Sequence, residues 1–528
     1  MWGTLSFFLS LLGVLFYINF EMNLQKRSFL IVALLLSITF SFAQHRCKVS
    51  GVVFEDINRN GTFDVGEPVL NGIPISDGDT VIVTDVRGAY CLGVQQGNSL
   101  FPILPAGYKL VGSKVLNSNF LYFPFDIKCK SKRVDWAVTK QPVSEIFSAN
   151  AVGDIQVSNN QELEYASKTI FSELLNTTSR HAINLMLGDV VNNQLALENT
   201  MKSLFEKLPQ DSWCLIGNHD RDSDSLFVRQ DRTFNSLFGA STYSFNKGNV
   251  HFIVLNTVYG TGKRSYEGQI SDKQLRFIKN DLKYVPATMQ LVLCQHIPLS
   301  SVNNTDALLA ILKGRGNVLA LSGHSHRVYR AFLKGEGVNI HELVAGAACG
   351  FWWTGERDWN GVPSALMPCG SPRNYFIIDF SRNDYHFRFK GIGLDANKLM
   401  DIWVSGIDSL DTHIPKLKLQ PKGMVLATIY GACQNTQVRC RIDGGEWIDC
   451  AFMKVPSPDV SRLSFFSRKH IYPTEYNRLN PTRDNHPSSE VFGAMLPQQY
   501  HTGTHIIEIE ASDKWGFSAF GARTFYFE

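Results

Sequence analysis

Residues 215–220, LIGNHD, decide the fold of this chain because they mark the point at which a buried strand ends and a loop begins. Together with Cys214, the first two residues of this stretch form an apolar run that suits a buried strand. Gly217 then allows a tight turn, which leaves three polar residues at the end of the strand: Asn218, His219 and Asp220. In open α/β sheets, ligand sites lie outside the carboxyl ends of the strands. The stretch therefore predicts an α/β sheet with a ligand site at one edge.

Four other apolar runs end in the same way, on residue types that bind metals through oxygen or nitrogen. These residues are Asp154 and Gln156, then Asp189, then His296, and finally His324 and His326. One such ending is weak evidence, because a lone histidine in an apolar run is more often a core residue. All five endings occur at domain-scale spacing, however, and their combination predicts one metal centre.

Taken in order, the five motifs resemble those of the calcineurin-like metallophosphoesterase family. The family pattern is D-x-H, G-D-x-x-D, G-N-H-D/E, H and G-H-x-H. The same order stands here as DIQ at 154–156, GDVVN at 188–192, GNHD at 217–220, His296 and GHSH at 323–326. Two positions depart from the commonest pattern, since Gln156 replaces a histidine and Asn192 replaces the second aspartate. A branch of secreted members, with extra domains before and after the catalytic one, looks similar in both substitutions.

The resemblance implies a pair of divalent metal ions, Mn, Fe or Zn, about 3.5–4 Å apart. One ion would be held by Asp154, Gln156, Asp189 and His326, and the other by Asp189, Asn218, His296 and His324. Asp189 would bridge the pair. A hydroxide between the metals would act as the nucleophile and attack phosphorus. A glutamine oxygen binds a transition metal less firmly than imidazole does, which leaves the identity of the metals open.

His219 is not needed as a ligand when Asn218 is one. It is placed to be the general acid that protonates the leaving oxygen, or to stabilise charge there, and Asn192 would take the place of the residue that orients it. A neutral asparagine raises the pKa of His219 less than an aspartate would. We therefore expect His219 to assist the departure of poor leaving groups less effectively. The alternative is that His219 only hydrogen-bonds to the ligands.

Length and charge set the class of protein. The chain has 528 residues, which favours two to four domains, and a formal net charge of +3. Because no long basic block is present, a nucleic-acid partner is not indicated.

Residues 1–43 form an apolar leader. A basic pair, Lys26 and Arg27, precedes an apolar run from Phe29 to Phe40 and a small-residue cleavage site before Gln44, which is typical of a secretory signal peptide beginning at Met22. Residues 1–20 are also apolar and are either an unused upstream start or a membrane anchor. The leader predicts an exported protein, periplasmic or on the cell surface, whose membrane contact is limited to this segment.

Residues 44–140 alternate in short runs broken by Gly, Pro, Asn and Asp, which predicts an N-terminal β-sandwich domain. Within them, residues 56–67 match the spacing of an EF-hand loop, although the flanks look like strands. The run resembles the B-type repeats of bacterial surface proteins. It is either a structural calcium site or a plain turn, and the calcium ligands would be Asp56, Asn58, Asn60, Thr62, Asp64 and Glu67.

Residues 141–392 alternate between strand and helix patterns and form the predicted catalytic domain. By the resemblance, its fold class is α/β, a four-layer core with two β-sheets flanked by helices. Residues 393–528 return to strands and predict a C-terminal β-sandwich, with an irregular surface excursion at 455–493. Among ten cysteines, one disulfide is plausible within the group Cys433, Cys440 and Cys450, whereas Cys214 and Cys294 look like buried thiols.

The loop at 349–359, CGFWWTGERDW, follows the GHSH strand and carries three tryptophans. Trp352, Trp353 and, further along, Arg373 are candidates for substrate binding, through stacking or through a charged contact to phosphate. The alternative for the aromatic rings is packing between domains.

The leading functional hypothesis is an exported dimetal phosphoesterase that hydrolyses a phosphate mono- or diester of a phosphorylated small molecule or envelope component. The alternative is a non-catalytic surface protein that binds phosphate or glycan through a vestigial metal site. A third hypothesis is a membrane-anchored signalling protein that keeps residues 1–20. Metal-dependent turnover discriminates the first two, and N-terminal sequencing discriminates the third.

Overall fold

The computed structural model describes residues 46–176, 182–226, 229–408, 411, 413–468, 485–497 and 502–527. The predicted leader at 1–43 lies outside the described residues. Within these ranges, no helix is long and apolar enough to cross a membrane.

Nine short strands form the N-terminal region. They are β1 (Arg46–Glu55), β2 (Pro74–Ser76), β3 (Val81–Val83), β4 (Ala89–Gln95), β5 (Ser99–Pro102), β6 (Tyr108–Leu110), β7 (Leu121–Tyr122), β8 (Ser131–Arg133) and β9 (Trp136–Lys140). One sheet has the order β4-β1-β9-β6, with β8 also beside β1, and the other has the order β3-β2-β5-β7. Side chains of both sheets share one apolar core, which includes Val49, Ile75 and Leu100.

A disulfide joins Cys47 of β1 to Cys129 within this region. The prediction of a disulfide in the C-terminal group was wrong, because Cys433, Cys440 and Cys450 are all free thiols in the structure. Proximity in sequence did not identify the pair, since the bonded cysteines are 82 residues apart and are brought together by the sheet.

The middle of the chain is a mixed α/β core, as predicted. Its strands are β10 (Ile146–Val152), β11 (Ile183–Met186), β12 (Asp211–Cys214), β13 (Tyr243–Lys247), β14 (Val250–Leu255), β15 (Val258–Gly262), β16 (Ser265–Gly268), β17 (Gln290–Gln295), β18 (Gly316–Ser322), β19 (Val328–Gly335), β20 (Val338–Ala345), β21 (Asn374–Ser381) and β22 (Asp384–Gly391). Its helices are α1 (Asn160–Ala166), α2 (Ser172–Leu175), α3 (Glu198–Lys207), α4 (Arg232–Phe238), α5 (Asp272–Asp281) and α6 (Thr305–Ile311). A π-helical turn, Ser167–Phe171, connects α1 and α2.

Two sheets pack face to face in this core. The first contains β12-β11-β10-β21-β22 and the second has the order β13-β14-β17-β18-β20-β19. Phe147 and Phe380 of the first sheet stack 4.9 Å apart, and Phe252 of the second sheet lies 5.8 Å from Phe380. Strands such as β11 and β14 are buried along their whole length, which explains why their sequences are continuous apolar runs.

The C-terminal region contributes β23 (Met400–Val404), β24 (Met424–Ile429), β25 (Gln437–Ile442), β26 (Ile448–Asp449), β27 (Ala451–Phe452), β28 (Val491–Met495), β29 (Gly503–Asp513) and β30 (Phe517–Phe527), with helices α7 (Pro415–Lys418) and α8 (Pro458–Arg468). β23-β24-β28-β27 form a separate sheet. The long β29–β30 hairpin, in contrast, joins the first core sheet, because β30 pairs with β22. The C-terminal strands therefore differ from an independent sandwich in that part of them extends the core.

The expected surface excursion at 455–493 contains a helix, α8. A proline at its first position and an acidic Asp459 in its first turn suit a helix start. Residues 469–484 of the excursion lie outside the described residues.

A buried ion pair fixes the hairpin to the second sheet. Arg330 of β19 places Nη1 2.5 Å from Oδ2 of Asp513, and both side chains are almost completely buried. The Nε atom of Arg330 also donates to Nε2 of His341, and Thr436 donates to Asp513. The C-terminal hairpin and both core sheets therefore meet at one charged contact.

Candidate metal centre

Five loops at the carboxyl ends of β10, β11, β12, β17 and β18 meet at one edge of the two sheets. Backbone hydrogen bonds tie them together: Gln156 N donates to Asp189 O, and Gly323 N donates to His296 O. The structure thus brings the five sequence motifs into direct contact. Each predicted metal ligand lies at this junction: Asp154, Gln156, Asp189, Asn218, His296, His324 and His326.

Five of the predicted ligands have a left-handed backbone, which is rare for residues other than glycine. They are Asp154 (φ 45°), Gln156 (φ 48°), Asp189 (φ 49°), His324 (φ 71°) and His326 (φ 49°). Such conformations cost roughly 1–3 kcal/mol each and cluster at functional sites, where the surrounding structure holds them in place. Five of the seven residues that would bind metal therefore carry backbone strain.

Glycines make room for the carboxylates. A Cβ on Gly217 would lie 2.1 Å from Asp189 Oδ1, and a Cβ on Gly323 would lie 2.4 Å from Asp154 Oδ2. Both motifs therefore need glycine because the backbone approaches a ligand more closely than any side chain permits.

Asp189 occupies the centre of the cluster. Its Oδ2 lies 3.3 Å from His296 Nε2 and 3.4 Å from Gln156 Nε2, and its Oδ1 accepts from the backbone N–H of His219. Asp154 lies beside it, accepting from His324 N and placing Oδ1 3.5 Å from His326 Nε2. Two buried carboxylates thus face a set of imidazoles.

Backbone carbonyls orient two of the histidines. A carbonyl oxygen only accepts, so His296 Nδ1 donates to Leu187 O at 2.9 Å and His326 Nδ1 donates to Gly350 O at 2.6 Å. This arrangement directs Nε2 of each ring toward the carboxylates, which is how metal-binding histidines are usually held.

Burial and charge set opposite ionisation states around the site. Burial acts to raise the pKa of Asp189, but the charge of His296 and its hydrogen bond outweigh burial and hold that pKa below its ordinary range. Burial acts to lower the pKa of His296, yet the charge of Asp189 raises it to about 10. Burial raises the pKa of Asp154 well above its ordinary value and lowers those of His324 and His326 to about 4. An anionic Asp189 therefore lies beside the protonated ring of His296, whereas His324 and His326 are neutral, the form of histidine that binds metals.

The residues present fit a metal centre. One ligand atom from each of Asp189, His296 and His324 lies within 4.8 Å of the others. Asn218 Oδ1, which lies 3.1 Å from His296 Nε2, extends the set. Gln156 directs Oε1 toward Cys349 and Nε2 toward Asp189, so ligation through oxygen requires rotation of its amide.

His219 lies at the edge of the cluster, with its side chain 28 % exposed and Nε2 4.0 Å from Asp189 Oδ2. Burial lowers its pKa. Its Nδ1 has no partner among the described residues, and the side chain of Asn192 hydrogen-bonds to Asn193 instead. The structure does not bring Asn192 and His219 into the predicted contact.

Sequence reasoning did not single out two residues that support the site. Asp220 is fully buried and accepts from Val191 N and Gly217 N, so it joins two of the motif loops. The position of Asp220 as the last residue of the GNHD motif was the sequence signal that could have identified it. The buried thiol of Cys349 lies 3.8 Å from both Gln156 Oε1 and His326 Nδ1, and no sequence signal distinguished it from a core cysteine.

The predicted substrate residues divide into exposed and buried groups. Trp352 is 44 % exposed and its ring lies 4.9 Å from that of His326. Trp353 is buried and its Nε1 donates to Ile155 O. Arg373 is also buried, behind Trp353, with Nη1 unpaired among the described residues. Trp352 alone of the three presents a surface at the site.

The predicted calcium residues form a closed loop at the end of β1. Asp56 accepts from the N–H groups of Asn60 and Gly61, and Glu67 accepts from those of Ile57 and Asp64. Asn58 and Asn60 both direct their amides to Asp64, and Thr62 N donates to Asn60. The structure brings these residues together, and the calcium interpretation stays a prediction beside the plain turn.

Comparison with known proteins supports this assignment of the site. Residues 150–328 match the family model of the calcineurin-like phosphoesterase, and residues 342–518 match the model of the C terminal of calcineurin-like phosphoesterase. No curated protein matches the chain. Among solved structures, the chain is similar to purple acid phosphatase PPD1 from yellow lupin (Lupinus luteus) seeds, at 10% identity and a TM-score of 0.33, over 61% of this chain and 75% of that one. The family matches imply divalent metal ions at the site.

Proposed function

We propose that this chain, which contains a calcineurin-like phosphoesterase domain and its C-terminal domain, is a metal-dependent phosphoester hydrolase. The observation that carries the proposal is the convergence of Asp189, His296 and His324 within 4.8 Å from three separate strand ends. We extend it to a two-metal centre in which Asp189 is shared. A vestigial site would not need to retain ligands with a strained left-handed backbone. It would also not need the hydrogen bonds that orient the rings of His296 and His326.

The side chains of the site divide the work. Asp154, Gln156 and His326 would hold one cation and Asn218, His296 and His324 the other, with Asp189 between them. Bound there, divalent cations lower the pKa of water and spread the charge on phosphate oxygens. The backbone carbonyl of Leu187 keeps the ring of His296 fixed during turnover, and that of Gly350 does the same for His326. His219, which is neutral at neutral pH because burial lowers its pKa, stabilises the leaving oxygen by hydrogen bonding.

The test is a screen of phosphomonoesters and diesters with Mn, Fe, Zn and Mg. We expect metal-dependent turnover that Asp189→Asn reduces by at least about 10³-fold, because the central carboxylate is lost. The exposed Asp449→Asn is the matched control and should retain activity. If the protein binds phosphate but hydrolyses none of the esters with any of the added metals, the proposal is contradicted.

The role of His219 has a separate test. We expect His219→Ala to slow hydrolysis of an alkyl ester by about 10²–10⁴-fold and that of an activated aryl ester much less, because the alkoxide leaving oxygen carries more negative charge for the His219 hydrogen bond to stabilise. Rates on both esters should be measured under saturating metal. An equal loss on both would show that His219 only positions the ligands.

We also propose that the protein is exported and acts on a phosphorylated small molecule or envelope component. The basic and apolar leader supports export, and a disulfide between Cys47 and Cys129 suits an oxidising compartment. N-terminal sequencing of the cell-envelope fraction should find a chain that begins at Gln44. A chain that retains residues 1–20 there would favour a membrane anchor.

A structural calcium ion at residues 56–67 is a further part of the proposal. Each of the three carboxylates of the loop accepts from a backbone N–H group or an asparagine amide of the same loop, which holds the loop in a closed conformation. Calcium should raise the melting temperature of the protein, and Asp64→Ala should remove that effect. An unchanged melting temperature in excess calcium identifies a plain turn.

A further inference from the structure

Two consecutive tryptophans beside the metal centre have an unusual backbone. Trp352 has φ 56° and Trp353 has φ 49°, and a left-handed conformation is a genuine outlier for a bulky side chain. Both residues are therefore held in a strained backbone conformation. The loop therefore keeps a conformation that its own residues disfavour, and the surrounding contacts must hold it there.

Trp353 anchors this loop. Its Nε1 donates to Ile155 O at 3.0 Å, inside the first metal-binding motif, and its backbone N donates to Cys349 O at 3.1 Å. Its ring lies 5.9 Å from that of Tyr165, and the guanidinium of Arg373 lies 5.6 Å from it on another side. Because Trp353 is fixed in this way, the strained backbone also fixes the direction of the neighbouring Trp352 side chain.

Trp352 is directed to the metal centre and not to the core. Its ring lies 4.9 Å from His326 and 4.4 Å from Phe351, yet 44 % of the residue stays exposed. A large indole surface is thus held against a metal-binding histidine with one side open to solvent. Packing alone would have favoured burial of that surface.

A second aromatic ring lies against the other histidine of the GHSH loop. Tyr266, on the β15–β16 hairpin, has its ring 6.2 Å from that of His324 and is 36 % exposed. The guanidinium of Arg221 lies over Tyr266 at 4.8 Å. Arg221 is 5 % exposed and donates Nε to Asn218 O and Nη1 to Gln230 Oε1 and Ser265 O, which leaves Nη2 without a partner among the described residues.

We propose that the metal centre acts on phosphate esters of nucleosides, with the base stacked on Trp352 and with Tyr266 and Arg221 contacting the sugar and a phosphate oxygen. The inference rests on the proposed function and names its substrate class. A base has a flat face that covers an indole, and a guanidinium binds phosphate oxygens. A lipid chain needs a continuous apolar groove, whereas polar histidines lie between the two rings.

The kinetic test compares adenosine 5′-monophosphate with ribose 5-phosphate, which lacks only the base. Wild type should prefer the nucleotide in kcat/KM, and Trp352→Leu should reduce that preference by roughly 5- to 140-fold, because stacking of one base is worth that factor. Trp352→Phe, which keeps a ring, should restore most of the preference. Tyr266→Leu, on a different element, should lower kcat/KM for the nucleotide as well.

Trp359→Leu is the matched control, because Trp359 lies in the same loop but is 93 % exposed. It should leave both kcat/KM values at the wild-type level. An equal wild-type kcat/KM for the two esters, or an equal loss on both in Trp352→Leu, overturns the inference and leaves the phosphoesterase function standing.

A binding measurement separates this inference from the chemistry. Adenosine, which has no ester to hydrolyse, is titrated into metal-free protein and followed by saturation-transfer NMR, with ribose as the comparison. Trp352→Leu should weaken adenosine binding by the same factor, and Trp359→Leu should not. If no ester is turned over but this result holds, the hydrolase proposal fails while the nucleoside site stands. If Trp352→Leu binds adenosine as wild type does, the nucleoside site is excluded.

Discussion

Gly217 shows how closely the metal centre is built at the level of single residues. Its backbone is not in the left-handed region, so conformational freedom is not the reason for glycine here. The reason is distance, because a Cβ would lie 2.1 Å from Asp189 Oδ1 and 2.2 Å from Asp189 N. The second of these atoms belongs to the backbone and cannot move aside as the end of a side chain can. The central carboxylate and the GNHD loop can therefore coexist only without a side chain at this position.

We predict that Gly217→Ala lowers the metal content of the purified protein well below that of wild type, because the added methyl group displaces Asp189. Elemental analysis after dialysis gives the measurement. Gly93→Ala is the control, since its Cβ would meet only Arg46 at ordinary contact distances of 3.6 and 3.8 Å. Wild-type metal content in Gly217→Ala would mean that Asp189 is not a ligand.

The sequence predicted which residues meet at the site because polar residues that end apolar strands stand out from their surroundings. It could not predict contacts that depend on side-chain direction. Asn192 bonds to Asn193 and not to His219, and Trp353 is buried although its neighbour Trp352 is exposed. The two tryptophans are identical in type and adjacent in sequence, so residue type gives no guide to which of them is buried.

The β29–β30 hairpin illustrates what periodicity reveals about elements and what it does not. The strand pattern of residues 393–528 predicted its strands, and the helix patterns within residues 141–392 correspond to elements such as α5 and α6. The choice of partner strand was not predictable, because an edge strand accepts any neighbour with a compatible surface. The buried pair of Arg330 and Asp513, which joins distant parts of the chain, fixes the hairpin that carries β30 against the second sheet.

We predict that Arg330→Met lowers the free energy of unfolding by about 3–5 kcal/mol, because Asp513 is left buried without its cation. Denaturant unfolding measures the change. Arg439→Met is the matched control, since its ion pair with Glu510 joins β25 to the same hairpin but is half exposed, and it should cost at most about 1 kcal/mol. Equal costs for the two variants would mean that the buried pair adds nothing beyond a surface contact.

At the scale of the whole molecule, Glu490 connects the C-terminal region to the loop that precedes β21. It is fully buried and accepts from Ser371 Oγ and from the backbone N of Gly431. Burial raises its pKa to about 8. Glu490 has a higher pKa in the folded state than in the unfolded state, where the pKa is near 4.5. Its contribution to the free energy of unfolding is therefore fully present below pH 4.5 and is lost as the pH rises toward 8.

We predict that Glu490→Gln, which cannot ionise, becomes more stable relative to wild type as the pH rises from 4 to 8, by up to about 5 kcal/mol. Chemical denaturation at several pH values gives the difference. The exposed Glu336→Gln should show no such trend. A difference that is constant with pH would mean that Glu490 ionises alike in the folded and unfolded states.

The first core sheet, which continues from β22 through β30, β29, β25 and β26, also has a consequence for synthesis on the ribosome. β22 can acquire its neighbour β30 only after the whole intervening C-terminal region has been translated. Until then the nascent catalytic core carries an open strand edge, the kind of surface on which other chains assemble. A chaperone that shields this edge during translation would therefore raise the yield of the full-length protein, and early termination before β30 would yield aggregates.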